Sequence, residues 1–186
     1  MAHEDKVRWD EKYKNNPIPN SPIALVTQNV ALAKGTKALD IACGMGRHSK
    51  FLVSRGFEVD ALDISTTAIA SLQNIPHINA KEVDFDTYIL PQSTYDLIVC
   101  TYFLKRSLFA QIINALKEEG IFIYETFLYH PDNEKAPSNR EFLLESGELQ
   151  SAFGKTCELL HLSEYWDVDM NGAKTMKASM IAKKRA

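Results

Sequence analysis

Short apolar runs alternate with amphipathic stretches over the first two thirds of the chain. Lys37 to Cys43 is apolar but for a lysine and one carboxylate, Asp40, and reads as a strand. Arg47 to Arg55 has helical spacing and stops at Gly56. Phe57 to Asp63 is a second strand. Ser65 is placed to cap a helix from Thr66 to about Asn74, and Pro76 prevents much continuation. Ile78 to Val83 is a third, weaker strand. Tyr95 to Thr101 is nearly all apolar, as expected of a strand buried on both faces. Leu108 to Glu118 reads as a helix with Leu108, Ile112 and Leu116 on one face, ended by Glu119-Gly120. Ile121 to Tyr129 is a long fifth strand.

The last third breaks this rhythm. His130 to Asn139 is polar, holds two prolines and reads as a loop. Glu141 to Phe153 suits one or two short helices with Gly147 between them. Cys157 to Trp166 and Lys174 to Lys183 alternate like strands, and Asn171-Gly172 between them is a hairpin-turn signal. Strand-helix alternation implies βαβ units with right-handed crossovers. The expected fold is therefore α/β: a Rossmann-like doubly wound sheet, mainly parallel, with an antiparallel C-terminal strand pair. A single domain is expected over 1–186. Residues 1–22, polar but for Trp9, Tyr13 and a few apolar residues, and carrying three prolines, form an N-terminal arm or cap.

Composition narrows the function. The 186 residues are 45% hydrophobic and 24% charged, ordinary for a globular protein with a full core. A formal charge of -3 argues against a broad nucleic-acid footprint, which needs a basic face. The basic end Lys183-Lys184-Arg185 is short and reads as solvated. Cys43, Cys100 and Cys157 are far apart, and no CxxC or Cys/His cluster suggests a metal. Reduced cysteines, no signal peptide and no apolar run near the ~20 residues that span a bilayer fit a cytoplasmic protein.

The carboxyl ends of parallel strands are where such sheets hold ligands. Asp40, Gly44, Gly46, Asp63, Asp84 and the segment from Cys100 to Arg106 all fall there. The glycines let a cofactor approach the backbone, since no Cβ stands in the way. A dinucleotide fingerprint wants a third glycine where Ser49 stands. A P-loop wants a lysine and a hydroxyl residue where Arg47-His48 stand. What remains is D-x-x-x-G-x-G, and its acid opposes a pyrophosphate while suiting a cation.

Asp40-Ile41-Ala42-Cys43-Gly44-Met45-Gly46-Arg47 resembles the first motif of the class I S-adenosylmethionine-dependent methyltransferases. Val59 to Ser65 resembles the second-strand motif, which implies that Asp63, followed by Ile64, takes the ribose hydroxyls. Val83-Asp84-Phe85-Asp86 resembles the adenine-holding segment, with Asp84 toward N6 and Phe85 beside it. Tyr95 to Cys100 resembles the fourth-strand motif, and Trp9-Asp10-Glu11-Lys12-Tyr13 is similar to the N-terminal cap of small methyltransferases. Tyr124 to Phe127 and Asn139 to Leu149 resemble the branch grouped with tellurite-resistance methyltransferases. The resemblance covers roughly residues 5 to 185. It implies S-adenosyl-L-methionine as cofactor and S-adenosyl-L-homocysteine as product. It also implies Asp40, Ala42, Gly44, Gly46, Asp63, Ile64, Asp84, Phe85, Cys100, Trp9 and Tyr13 as the binding set.

Asp40 has a second reading, as an organiser of the turn and its N–H groups. Trp9 and Tyr13, four apart, share a helix face; they either staple the arm to the domain or close over the cofactor. Beyond the fourth strand, Tyr102 offers an aromatic wall, and Lys105 and Arg106 either attract an anionic acceptor or form a solvated rim. The related branch often has histidine where Lys105 stands, so an obvious base is missing and no catalytic residue is assigned. The expected partner is a small-molecule methyl acceptor, soft or anionic, with no nucleic acid and no membrane, in a monomer or homodimer. A cofactor-binding regulator without turnover and an RNA or protein methyltransferase are the competing classes.

Overall fold

The computed structural model describes residues 2–16 and 19–186. Pro17, one of the prolines of the arm, lies outside the described residues. The helices are α1 (Ala2–Asn15), α2 (Ala24–Asn29), α3 (Arg47–Ser54), α4 (Thr66–Ala70), α5 (Phe109–Ala115) and α6 (Glu148–Phe153). The strands are β1 (Lys37–Ile41), β2 (Glu58–Asp63), β3 (Ile78–Glu82), β4 (Tyr95–Thr101), β5 (Leu116–Phe127), β6 (Cys157–Val168) and β7 (Lys174–Lys184). They form one seven-stranded sheet in the order β3-β2-β1-β4-β5-β7-β6. Pairings from β3 through β5 are parallel, and β7 is antiparallel to both β5 and β6. The order reverses between β1 and β4, so their carboxyl ends open the crevice that such sheets use for ligands.

Alternation along the strands divides the core between two faces. Leu39, Ile41, Ile98, Phe122 and Tyr124 pack with Ile112 of α5 and Phe153 of α6 on one face. Ala38, Val59, Leu97, Val99 and Ile123 pack with Val26 of α2 and Leu52 of α3 on the other. Asp40 belongs by parity to the second face, directed at α3 rather than at water.

Two elements depart from the helical pattern. The expected helix over Leu108 to Glu118 ends at Ala115, and Leu116 instead opens β5. Tyr95 pairs with Leu116 while Leu97 pairs with Ile121, so the chain bulges between them, with Glu119 at φ 63. Leu116 is fully buried in the sheet, which satisfies its apolar side chain as well as a helix would. The helix after Ser65 is regular only to Ala70 and continues as turns toward Asn74, which sits at φ 65. Glu141 to Phe153 resolves into a 3-10 turn over Arg140–Phe142 and α6, with Gly147 at φ 76 as the N-cap. The arm is helical, and α1 contacts α4.

Candidate active site

The turn after β1 is built from left-handed backbone. Ala42 (φ 53), Gly44 (φ 53) and Gly46 (φ 75) all adopt it within five residues. Only glycine does so at no steric cost, so Ala42 is held by its surroundings. Cys43 N–H donates to the Leu62 carbonyl (3.0 Å) and Gly46 N–H to the Cys43 carbonyl (3.0 Å). A Cβ on Gly46 would meet Leu72 at 2.4 Å, and one on Gly44 would meet the Tyr13 hydroxyl at 2.8 Å. The glycines are therefore required for packing as well as conformation.

Two buried acids brace this turn. Asp63, 4% exposed, accepts from Gly44 N–H with Oδ2 (2.8 Å) and from Ser65 N–H with Oδ1 (2.9 Å). Burial raises its pKa, against the lowering effect of those N–H groups. Asp40, 1% exposed, accepts from Ser49 Oγ of α3 at 2.6 Å. Burial pushes its pKa up to about 7, against the hydrogen bonds from Ser49. Asp40 is thus linked to α3 through Ser49. Ala42 borders the same turn half-exposed, and Ile64 is half-buried between Asp63 and Ser65.

The arm closes on these residues. Asp10 Oδ1 accepts from Ser65 Oγ (2.5 Å) and Thr67 N–H (2.9 Å), so it reinforces the N-terminus of α4 from outside. Lys6 pairs with Glu82 at 2.6 Å. Trp9 and Tyr13 stack with centroids 5.5 Å apart, and the Tyr13 hydroxyl rests against Gly44. Burial, then the charge of Asp63, raises the Tyr13 pKa and keeps it a neutral phenol.

Asp84 sits half-buried after β3, its Oδ1 accepting from Asp86 N–H at 2.8 Å. Phe85, 8% exposed, packs on Phe103 with centroids 5.5 Å apart. Cys100 at the end of β4 is buried, and burial raises its thiol pKa far above the usual value. With Ile41, Phe103, Leu108 and Ile112 it lines a narrow apolar crevice.

The cations expected at the acceptor side prove to be engaged. Lys105 is ion-paired with Asp86. Arg106 donates to both carboxylate oxygens of Glu148 (2.7 and 2.9 Å) and to the carbonyls of Glu141 and Leu143 (3.0 and 2.9 Å). It ties the segment between β5 and α6 to the end of β4 while remaining exposed. Tyr102, expected as an aromatic wall, also makes polar contacts. Its phenol donates to Glu125 Oε1 (2.8 Å) and accepts from Lys177 Nζ (3.0 Å), and its ring lies 5.5 Å from the Arg47 guanidinium. Glu125 lies within the Tyr124 to Phe127 segment that resembles the branch motif, but that motif names no partner for it, and Lys177 carries no motif at all.

Histidines take structural places. His48, 2% exposed, faces Ile23 N–H at 3.4 Å, and burial followed by the Arg47 charge lowers its pKa to about 3. His130 packs edge-on against Trp166 at 4.8 Å, and His161 bonds Ser179 at 2.9 Å.

The sequence as a whole matches a known family. The profile of the family described as "Tellurite resistance protein TehB" matches residues 1–174. The chain belongs to the TehB family. A probable S-adenosyl-L-methionine-dependent methyltransferase TehB of Haemophilus influenzae is 28% identical over 193 residues, covering 95% of this chain. The chain spans 66% of that relative's length. The crystal structure of TehB from Haemophilus influenzae superposes with a TM-score of 0.73 at 25% identity, over 97% of this chain and 67% of that one. An S-adenosylmethionine-dependent methyltransferase from Mesorhizobium loti shares the fold, with a TM-score of 0.67 at 18% identity over 87% of this chain and 98% of that one. Among the described residues, no helix is long and apolar enough to cross a membrane.

Proposed function

We propose that this chain is an S-adenosylmethionine-dependent methyltransferase acting on a small-molecule acceptor. The observation that carries the proposal is the brace of buried Asp63 and Asp40 around a turn whose glycines leave no room for a Cβ. The acids beside such a turn suit a cationic nucleoside rather than a phosphate. The names of the TehB relatives and the shared fold support the same reading. Asp63 is assigned to the ribose hydroxyls, Asp84 and Phe85 to the adenine, and the Gly44–Gly46 backbone to the methionine portion. Trp9 and Tyr13 of α1 cover the cofactor and exclude water. When bound, S-adenosylmethionine supplies a sulfonium-activated methyl group, so the protein needs chiefly to orient the nucleophile.

The acceptor site is placed beyond the carboxyl end of β4, between Tyr102, Phe103 and the arm. No histidine with a described side chain stands there as a free base. A soft nucleophile fits this better than an aliphatic alcohol, and the tellurite-resistance description of the family agrees with soft chemistry. Titration calorimetry with S-adenosylmethionine and S-adenosylhomocysteine tests the proposal directly. Binding of both is expected; a folded sample that binds neither at millimolar concentration sinks it.

A further inference from the structure

Beyond the residues assigned to the cofactor, a polar group gathers around Tyr102 at the end of β4. Tyr102 directly follows β4 and adopts a left-handed backbone at φ 57, unusual for a bulky residue. Its N–H donates to the Glu125 carbonyl at 2.8 Å, which fixes that conformation to β5. Glu125 is 7% exposed, and its two carboxylate oxygens accept from two phenols: Tyr102 at Oε1 (2.8 Å) and Tyr165 of β6 at Oε2 (2.9 Å). Lys177 of β7, 9% exposed, donates to the Tyr102 oxygen at 3.0 Å and pairs with Asp167 of β6 at 2.6 Å. Arg47 of α3 approaches the ring from the glycine turn, and Phe127 packs beside it. Burying a carboxylate and an ammonium this deeply is costly unless each is partnered, and here both are.

The directions of these hydrogen bonds define what Tyr102 presents. Its hydroxyl proton is committed to Glu125, and one lone pair is taken by Lys177. What remains on the oxygen is a second lone pair, an acceptor and not a donor. The half-exposed side chain stands where the sheet's ligand crevice meets β4. A group binding there is recognised through a proton that it carries.

We propose that Tyr102 and Glu125 form a proton relay on the acceptor side, serving a soft nucleophile that arrives protonated, such as a thiol. The proposal rests on the methyltransferase reading above. The nucleophile's bond to hydrogen breaks and its electron pair stays on the nucleophile. Its proton passes to Tyr102 Oη while the phenol proton passes to Glu125 Oε1. Tyr102 ends as it began, a neutral phenol, and Glu125 ends protonated. Burial, more than any other effect, keeps Tyr102 from ionising by itself, which suits a conduit rather than a stored base. Lys177 steadies the oxygen during the exchange, with Asp167 balancing its charge. Tyr165 holds the other oxygen of Glu125, so the receiving oxygen stays aimed at Tyr102. This supplies the base that the residue at Lys105 does not.

The test is a series of aryl and alkyl thiols of graded acidity, with the full chain, the Tyr102→Phe and Glu125→Gln variants, and saturating S-adenosylmethionine. Thiols already ionised at the assay pH bypass the relay and should slow far less in each variant. Thiols that are protonated at that pH should slow by about 10²–10³-fold in each variant. Equal slowing of both kinds, or of neither, overturns the relay and leaves a packing role. A second readout avoids turnover: ultraviolet absorption of bound thiolate in the complex with S-adenosylhomocysteine. A weakly acidic thiol should absorb as thiolate in the unsubstituted protein and not in Glu125→Gln, which preserves the carboxylate's shape. The same spectrum in both overturns the relay even where no probe is methylated. Failure to bind S-adenosylhomocysteine at all overturns instead the methyltransferase reading.

Discussion

On the β1–β2 side of the glycine turn, buried acids hold the local chain. Asp63 takes N–H groups 19 and 2 residues away, and Asp40 takes a hydroxyl 9 residues away. On the β5–β7 side, a buried acid holds distant side chains. Glu125 reaches phenols 23 and 40 residues away, and Lys177 reaches Tyr102 across 75. The first side is a fixed seat whose shape follows from one βαβ unit. The second is assembled only when the antiparallel strands have docked on the sheet. A fixed seat suits a ligand common to a whole family. An assembled side can change with each strand, and so suits the part that varies between members.

The largest effect should separate conformation from packing at the seat. Gly46→Ala forces a left-handed alanine and drives a Cβ to 2.4 Å from Leu72, so a loss of about 2–4 kcal/mol is expected in urea unfolding. Gly147→Ala, at φ +76 with nothing within 4 Å, should lose only about 1 kcal/mol. Similar losses at the two sites would mean that the turn is not tightly packed.

The next effect sets one side directly against the other. Asp63→Ala should weaken cofactor binding by about 10- to 100-fold, the scale of a lost charge-assisted interaction. Lys105→Ala should change it by less than about threefold, since its partner is the exposed Asp86. Calorimetry on folded samples decides, and equal losses refute the ribose assignment.

This contrast also explains what could be read from the sequence. Strand-helix alternation, the Asn171-Gly172 hairpin and the acids at the strand ends are local signals, and the sheet carries each of them. Asp63 was legible because its place depends on one strand and one turn. Glu125 sits in the Tyr124 to Phe127 signature, but its contacts were not legible, because its neighbours come from beyond β4 and from β6 and share no spacing. The partner of Arg106 was hidden for the same reason: Glu148 arrives from 42 residues away. Leu116 fitted a helical stripe, but its burial in the sheet outweighed the helical pattern.

A smaller effect tests Asp40 through pH. Its pKa is pushed up to about 7 by burial, so between about pH 4 and pH 7 the folded protein keeps a proton that the unfolded chain has lost. Stability contributed by this group therefore falls as pH rises through that window. The loss should be on the order of 2 kcal/mol in urea unfolding at pH 5 and pH 8. Asp40→Asn should flatten this part of the curve while keeping an acceptor for Ser49. An unchanged slope would assign the dependence to other groups.

The smallest effect concerns the arm, which joins the seat without belonging to it. Asp10 caps α4 through Ser65 and Thr67, and a cap of this kind contributes about 1 kcal/mol. Burial pushes the Asp10 pKa up, but the Ser65 and Thr67 hydrogen bonds and the Lys6 charge outweigh it and hold it below the usual value. The contribution is therefore present above the ordinary carboxylate pKa and is lost as pH falls through the lowered one. Asp10→Ala should speed amide exchange in α1 at neutral pH, by up to about fivefold for 1 kcal/mol. Acidification should bring the unsubstituted protein toward the variant. The Asp63–Gly44 bond does not pass through α1, so exchange of the Gly44 amide should be nearly unchanged. If that amide speeds up as much as those of α1, the arm is part of the seat's framework rather than a cover over it.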